Sequence, residues 1–308
     1  MSSHRRMATG IAASFMVLLA ACTSEPSEPR SARPVTDDTV TVGSFDFAES
    51  EMLAELYSQA LEAGGYDVRR AFNLGPREFV APALVRGLID MVPEYAGTAV
   101  QFLSLGSVRP GADVGDTHAA LVRALEQRGV TALAPAPAQD ANTFVVTRRV
   151  AERHALSKLS DVDAVGSQLT FAGPPECSAR PLCLVGLEQV YGIRFREVVS
   201  LDAGGPLTRQ ALRDGVVDMA LLFTTDPAVG SEGLVELTDD RGLQPAENVT
   251  PLVRTDALDR SGPRLAELID AVSRRLATDD LRNLNALVTG GADVTAVAAD
   301  WLKSEALR

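Results

Sequence analysis

Ala83-Leu84-Val85-Arg86-Gly87-Leu88-Ile89-Asp90-Met91 returns 128 residues later as Ala211-Leu212-Arg213-Asp214-Gly215-Val216-Val217-Asp218-Met219. Five of the nine positions are identical, and two more exchange one aliphatic residue for another. Each copy reads as a helix end, a glycine cap and a buried strand that opens with an Asp. One explanation is that any α/β chain reuses helix–Gly–strand units. The sharper one is that two similar lobes each present a strand to a shared cleft. Four residues further on, Tyr95 falls opposite Phe223. Both aromatics then lie at the carboxyl end of a strand, where open α/β sheets take their ligands.

The flanking sequence fits two lobes. Thr39 to Gly43 alternates and breaks at glycine, as a strand entering a loop does. Glu49 to Ala63 places Met52, Leu53, Leu56, Tyr57, Ala60 and Leu61 at helical spacing and stops at Gly64-Gly65. A strand over Tyr66–Ala71, a helix over Glu78–Arg86 and a strand over Leu88–Val92 complete a β–α–β–α–β pattern, the mark of a mainly parallel sheet. Asn142 to Thr147 reads as a strand passing from the first lobe into the second. Leu169–Ala172, Glu197–Val199, Val216–Leu222 and Leu234–Leu237 read as strands of the second lobe, and Asn248–Val253 as the strand returning to the first. Helices are expected near 263–276, 278–289 and 293–306. The boundaries expected are 39–141 with 248–308 for lobe 1 and 142–247 for lobe 2. Two α/β lobes joined by two hinge-crossing strands make a clamp that closes by bending between them.

Charge narrows the function. The chain of 308 residues has 29 Lys and Arg against 41 Asp and Glu, a formal charge of -12, with 46% hydrophobic residues. This is globular composition, and a net acidic chain lacks the clustered cations that nucleic-acid binding needs. Three His and three Cys are too few for a multi-His metal centre or a Cys-rich zinc fold. His118 and His154, the two His beyond the N-terminal leader, have neither a Gly-x-Ser-x-Gly elbow nor a His-Glu-x-x-His helix to work with. An exported hydrolase, and catalysis generally, are therefore not expected, and no cofactor motif is present.

The leader reads as an export signal. His4, Arg5 and Arg6 precede an apolar stretch from Ile11 to Ala21, interrupted by Ser14 and too short to span a bilayer. It ends Leu19-Ala20-Ala21-Cys22, which resembles a bacterial lipobox, with residues 1–22 as the lipoprotein signal and Cys22 as the lipidated N-terminus. A plain secretory signal is the alternative. Removal of the leader leaves 27 basic against 41 acidic residues, a charge of -14. Residues 23–38, rich in Ser, Pro, Glu and Thr, read as a flexible tether. Outside the cytoplasm, Cys177 and Cys183, with five residues between them, are expected to pair in a disulfide that pins the loop carrying Arg180; two buried thiols are the alternative.

Six segments then carry a resemblance that spans about Thr39 to Leu302: Val42–Phe47, Pro93–Thr98, Asn142–Phe144, Pro174–Gly186, Tyr191-Gly192 and Phe223–Asp226. In order and spacing the chain resembles the substrate-binding lipoproteins of osmoprotectant ABC importers, which bind glycine betaine, choline, carnitine and related quaternary amines. The resemblance implies a class II periplasmic-binding-protein fold and a permease with a cytoplasmic ATPase as partners. It further implies a monomer that reaches the extracytoplasmic face of the bacterial membrane through its lipid alone. In that family aromatic rings cage the trimethylammonium group. Carried over by position, Tyr95, Phe144 and Phe223 are walls, Arg180 grips a carboxylate, and Thr98 of Tyr95-Ala96-Gly97-Thr98 is a hydroxyl donor. Three positions depart from the pattern. Phe45 stands where the family often has Lys, Arg209 (or Thr208) stands where a fourth cage Tyr is usual, and Asn142 stands where a related member has Asp. An inward Arg209 would repel a cation, and gaining Phe45 suits a planar or aromatic solute. The expected function is capture of a quaternary ammonium osmoprotectant for import. The alternatives are a planar, non-cationic solute and a sensor that binds without transporting.

Overall fold

In the computed structural model, which describes residues 39–108, 110–229 and 233–307, the two echoed segments take the same place in two separate five-stranded sheets. The chain runs β1 (Thr39–Gly43), α1 (Ala48–Ala63), β2 (Asp67–Ala71), α2 (Arg77–Val85), β3 (Met91–Tyr95), α3 (Ala96–Leu103), α4 (Val114–Leu125) and β4 (Val130–Ala132). It crosses into the second sheet through β5 (Asn142–Thr147), followed by α5 (Arg148–His154), β6 (Thr170–Gly173), α6 (Leu184–Tyr191), β7 (Glu197–Ser200), α7 (Pro206–Arg213), β8 (Met219–Phe223) and β9 (Leu234–Leu237). It returns through β10 (Val249–Arg254) and ends in α8 (Thr255–Ser261), α9 (Pro263–Ser273), α10 (Thr278–Thr289) and α11 (Val294–Ser304).

The sheet orders are β2-β1-β3-β10-β4 and β7-β6-β8-β5-β9. In each, the first three strands are parallel and the crossing strand lies antiparallel beside the third. The echo is therefore topological as well as sequential: Met91 pairs with Val42 and Val253, and Met219 with Phe171 and Val146. This is the two-lobe class II periplasmic-binding-protein fold. Gln139 and Asn248 bridge antiparallel where the two crossings run side by side.

The echoed strands begin later than their aliphatic runs suggest. Gly87 and Gly215 adopt φ of 75° and 67°, a conformation that glycine takes without steric cost. The following amides, Leu88 N–H and Val216 N–H, still donate back to Ala83 and Ala211 at 2.9 Å, so Leu88 and Val216 belong to the helix caps and lie 65% and 64% exposed. The chain enters the sheet at the Asp. Asp90 accepts from Thr41 N–H at 2.8 Å, and Asp218 from Thr170 N–H at 3.0 Å.

In lobe 1, α1 is sheathed by the sheet and by the C-terminal helices, with Met52, Leu53, Leu56, Tyr57 and Leu61 fully buried. In lobe 2, separate clusters form on the two faces of the sheet: Phe144, Val146 and Phe171 on one, Val145, Ala172 and Leu222 on the other. Cys22 and the tether 23–38 lie outside the described residues. Among the described residues no helix is long and apolar enough to cross a membrane.

Candidate functional site

The lobe 1 wall is built where β1 hands over to α1. Gly43 ends the strand against Ile89, which a Cβ there would meet at 2.6 Å. The Ser44 hydroxyl accepts from Asn73 N–H at 2.8 Å, and Phe45 N–H donates to Ser50 at 2.9 Å. The segment is thus held taut over the strand ends. Phe45 lies buried under the Arg77 guanidinium, 5.4 Å from its ring centre. Phe47 stacks on Phe45 at 5.9 Å and 3°, and Tyr95 on Phe47 at 6.1 Å and 28°. Phe47 is the member that remains 43% exposed. The Tyr95 hydroxyl donates to Glu49 at 2.7 Å, and Asn285 of α10 donates to the other Glu49 oxygen.

A buried charge network stands behind these rings. Arg77 forks onto Glu94 at 2.8 and 2.9 Å and donates to Thr98 Oγ1 at 2.9 Å. Thr98 N–H donates to Glu247 at 3.0 Å. Asp140, on the outgoing crossing, accepts from the Thr225 hydroxyl at 2.8 Å. Burial first, and the nearby Glu49 carboxylate second, push the Asp140 carboxyl well above its usual range. Burial pushes Glu247 from 4.5 up to about 8.

A raised carboxyl pKa makes the folded protein the tighter proton binder. Glu247's contribution is therefore fully present below pH 4.5 and lost as pH rises through about 8. One proton can change stability by at most ~1.4 kcal/mol per pH unit. Urea midpoints taken across that window should fall for the wild type and fall distinctly less for Glu247→Gln. Parallel profiles would show that Glu247 ionises as an ordinary carboxylate.

The matching strand end in lobe 2 carries Phe223. Phe223, at the end of β8, is half-buried and pairs across the ladder with Asn142. Asn142 Nδ2 donates to Leu182 O and Gln244 Oε1, each at 3.3 Å, which ties the crossing to the loop before α6. That loop is closed by a disulfide between Cys177 and Cys183, with Cα atoms 5.2 Å apart. Arg180, within it, is half exposed and has Glu176 at 3.7 Å. Arg209 does not face water: its Nη1 contacts both Asp226 oxygens at 3.1 Å, and its side chain is 14% exposed. Its charge is matched, so the repulsion expected of an inward Arg is largely cancelled. Thr208 is buried and donates to Asp202. Contacts from α10 also join the lobes. Arg282 donates to Thr224 O at 3.0 Å and Asn285 to Thr225 O at 3.3 Å.

One expected wall is misplaced. Phe144 is 1% exposed and packs at 6.2 Å from Phe171 inside the lobe 2 core. The strand that carries it is paired on both edges, to β8 and β9, and the ring falls on the covered face. Sequence reasoning also missed Phe47, Glu49, Asp140, Asp226 and Glu247. Phe47 had a signal in Phe45-Asp46-Phe47; the carboxylates had none, since their partners lie far away in sequence.

Two α/β lobes, each built on a five-stranded sheet and joined by two crossing strands, have the architecture of a hinged solute-binding protein. The chain belongs to the family described as the substrate binding domain of the ABC-type glycine betaine transport system, whose model matches residues 38–304. It is 29% identical over 276 residues to the glycine betaine-binding protein YehZ of Escherichia coli (strain K12), covering 86% of this chain and 90% of that one. It is 23% identical to the ergothioneine transport permease/ergothioneine binding protein EgtU of Helicobacter pylori (strain G27), covering 91% of this chain and 49% of that one. A solved glycine betaine/carnitine/choline ABC transporter structure superposes with a TM-score of 0.74 at 22% identity, covering 87% of this chain and 99% of that one.

Proposed function

We propose that the chain is the extracytoplasmic binding subunit of an importer that captures a glycine betaine-like quaternary ammonium solute between lobes 39–141 with 248–308 and 142–247. It would deliver that solute to a permease powered by a cytoplasmic ATPase. The observation that carries this is the Phe45–Phe47–Tyr95 stack with the Glu49 carboxylate at its end. A quaternary ammonium has no N–H to donate, so π faces and dispersion hold it, at about 0.5–2 kcal/mol per ring. Buried Glu49, hydrogen-bonded to the Tyr95 hydroxyl, adds negative potential behind the rings. Phe223 closes from lobe 2, Asn142 borders the cleft, Thr98 stands behind the rings in the grip of Arg77 and Glu247, Arg209 is neutralised by Asp226, and Arg180 takes a carboxylate.

Calorimetry with glycine betaine and choline tests this. Phe47→Ala and Tyr95→Ala should each cost about 1–3 kcal/mol, roughly 5- to 150-fold in affinity. Wild-type binding by both variants would overturn the site. Arg180→Ala should weaken glycine betaine far more than choline, which has no carboxylate. The parallel setting of Phe45 and Phe47, at 3°, also favours a planar solute as a second reading. The neutral choline isostere 3,3-dimethylbutanol separates the two. A cation site should bind it much more weakly than choline, whereas a planar-solute site should prefer an uncharged ring to either. Co-purification with a permease would distinguish an importer subunit from a sensor.

The membrane link rests on Leu19-Ala20-Ala21-Cys22. We propose that Cys22 carries the lipid, with residues 23–38 as tether to a monomeric domain. Cys22→Ser should move the protein from the membrane fraction to the soluble one; unchanged membrane retention would refute the anchor.

A further inference from the structure

The two lobes differ at the pole remote from the strand ends that carry Tyr95 and Phe223, and the internal echo makes that difference legible. Val253 and Val146 hold equivalent places, paired with Met91 and Met219. Counting onward, Asp256 of lobe 1 corresponds to Arg149 of lobe 2, and Arg260 to Arg153. In lobe 1 this pole neutralises itself. Arg260 donates to Asp90 at 2.8 Å, Arg254 pairs with Asp256, and Arg260 also lies 3.8 Å from Asp256.

In lobe 2 the acid is replaced by a cation. Arg149 extends over Gly215, as Arg254 does over Gly87, but the position that would supply its carboxylate is Arg149 itself. Arg149, Arg153, His154, Gln168, Arg196 and Asp218 line a cavity of about 430 Å³. Asp218 is its one carboxylate, and that group accepts from Thr170 N–H at 3.0 Å. Arg196 donates to the Thr170 hydroxyl at 2.6 Å. Among the described residues none of the three Arg forms an ion pair. Three exposed guanidinium groups against one engaged carboxylate leave positive charge in excess around a half-open surface pocket, on a chain of formal charge -12.

We propose that this pocket is an anion site, separate from the solute cleft, for a phosphate-bearing ligand. Guanidinium forks match tetrahedral oxyanions, and charge-assisted bonds of this kind are the strong ones. Free phosphate and a phospholipid headgroup share that chemistry.

The full mature chain would be titrated with inorganic phosphate, followed by thermal unfolding. It would also be sedimented with phosphatidylcholine vesicles with and without phosphatidylglycerol. Arg149→Asp restores the lobe 1 arrangement, Arg153→Gln removes a cation without adding an acid, and Arg264→Gln is an exposed control elsewhere. Phosphate should stabilise the wild type and Arg264→Gln alike. Its affinity should fall about tenfold or more in Arg149→Asp and Arg153→Gln, as loss of a charge-assisted pair implies. Stabilisation by phosphate without vesicle binding identifies a free oxyanion as the ligand. Arg149-dependent sedimentation with the anionic vesicles alone identifies a headgroup. Neither response, or equal responses from all four proteins, would overturn the assignment. Choline affinity reads the cleft separately and should be the same in every variant.

Discussion

Phe144→Ala should cost about 3–5 kcal/mol of stability, the usual range for truncating a buried Phe. The ring is 1% exposed, 6.2 Å from Phe171, which in turn stacks at 4.8 Å on Phe195. These three rings bind the crossing strand β5 to β6 and to the loop before β7. Removing the first leaves a void that close-packed neighbours fill only in part. Denaturant unfolding measures the loss, and calorimetry on the folded variant measures affinity. The core assignment expects a large fall in stability and only a small change in affinity for a cleft ligand. The opposite pattern, unchanged stability with affinity reduced tenfold or more, would make Phe144 a wall of the site.

The sequence does not reveal which way Phe144 faces because of the kind of strand that carries it. A strand with one wet face alternates, and alternation tells which side chains point inward. β5 is buried on both faces: Thr143 through Val146 are all buried, Val145 toward one apolar cluster and Phe144 and Val146 toward the other. A run such as Thr143-Phe144-Val145-Val146 then gives no facing. The echo was readable for the opposite reason. A left-handed Gly followed three residues on by an Asp that caps the neighbouring strand is a local device, and both copies carry it intact.

The same distinction divides the site. Tyr95 and Phe223 sit at strand ends that the echo locates, and Cys177 and Cys183 are joined within one short loop. Arg209 found its acid 17 residues onward, in Asp226, and Tyr95 found Glu49 46 residues back. Glu247 meets Thr98 across 149 residues. No local pattern records such pairs. The exposure of Phe47, the outermost ring, depends on how a loop lies over the sheet end, which alternation along β1 cannot fix.

Arg77→Met should be comparably damaging, at about 3–5 kcal/mol, because breaking a buried ion pair strands its partner. Glu94 is 3% exposed and Glu247 2%, and Arg77 is the cation whose fork holds Glu94 and whose charge lowers Glu247. Without it, two buried carboxyls face each other across Thr98, and Phe45 loses the guanidinium that covers its ring. The network gives the variant a signature beyond simple instability. Glu247 should be driven further upward, so the decline of stability with rising pH should extend beyond the wild-type window. Adding Glu94→Gln should recover part of the loss, since an amide oxygen still accepts from Tyr95 N–H, which lies 2.9 Å from Glu94 Oε2. A double-mutant cycle read from denaturant midpoints isolates the pair. Strictly additive losses would mean that Arg77 stabilises the lobe through its contact with Phe45 and not through Glu94.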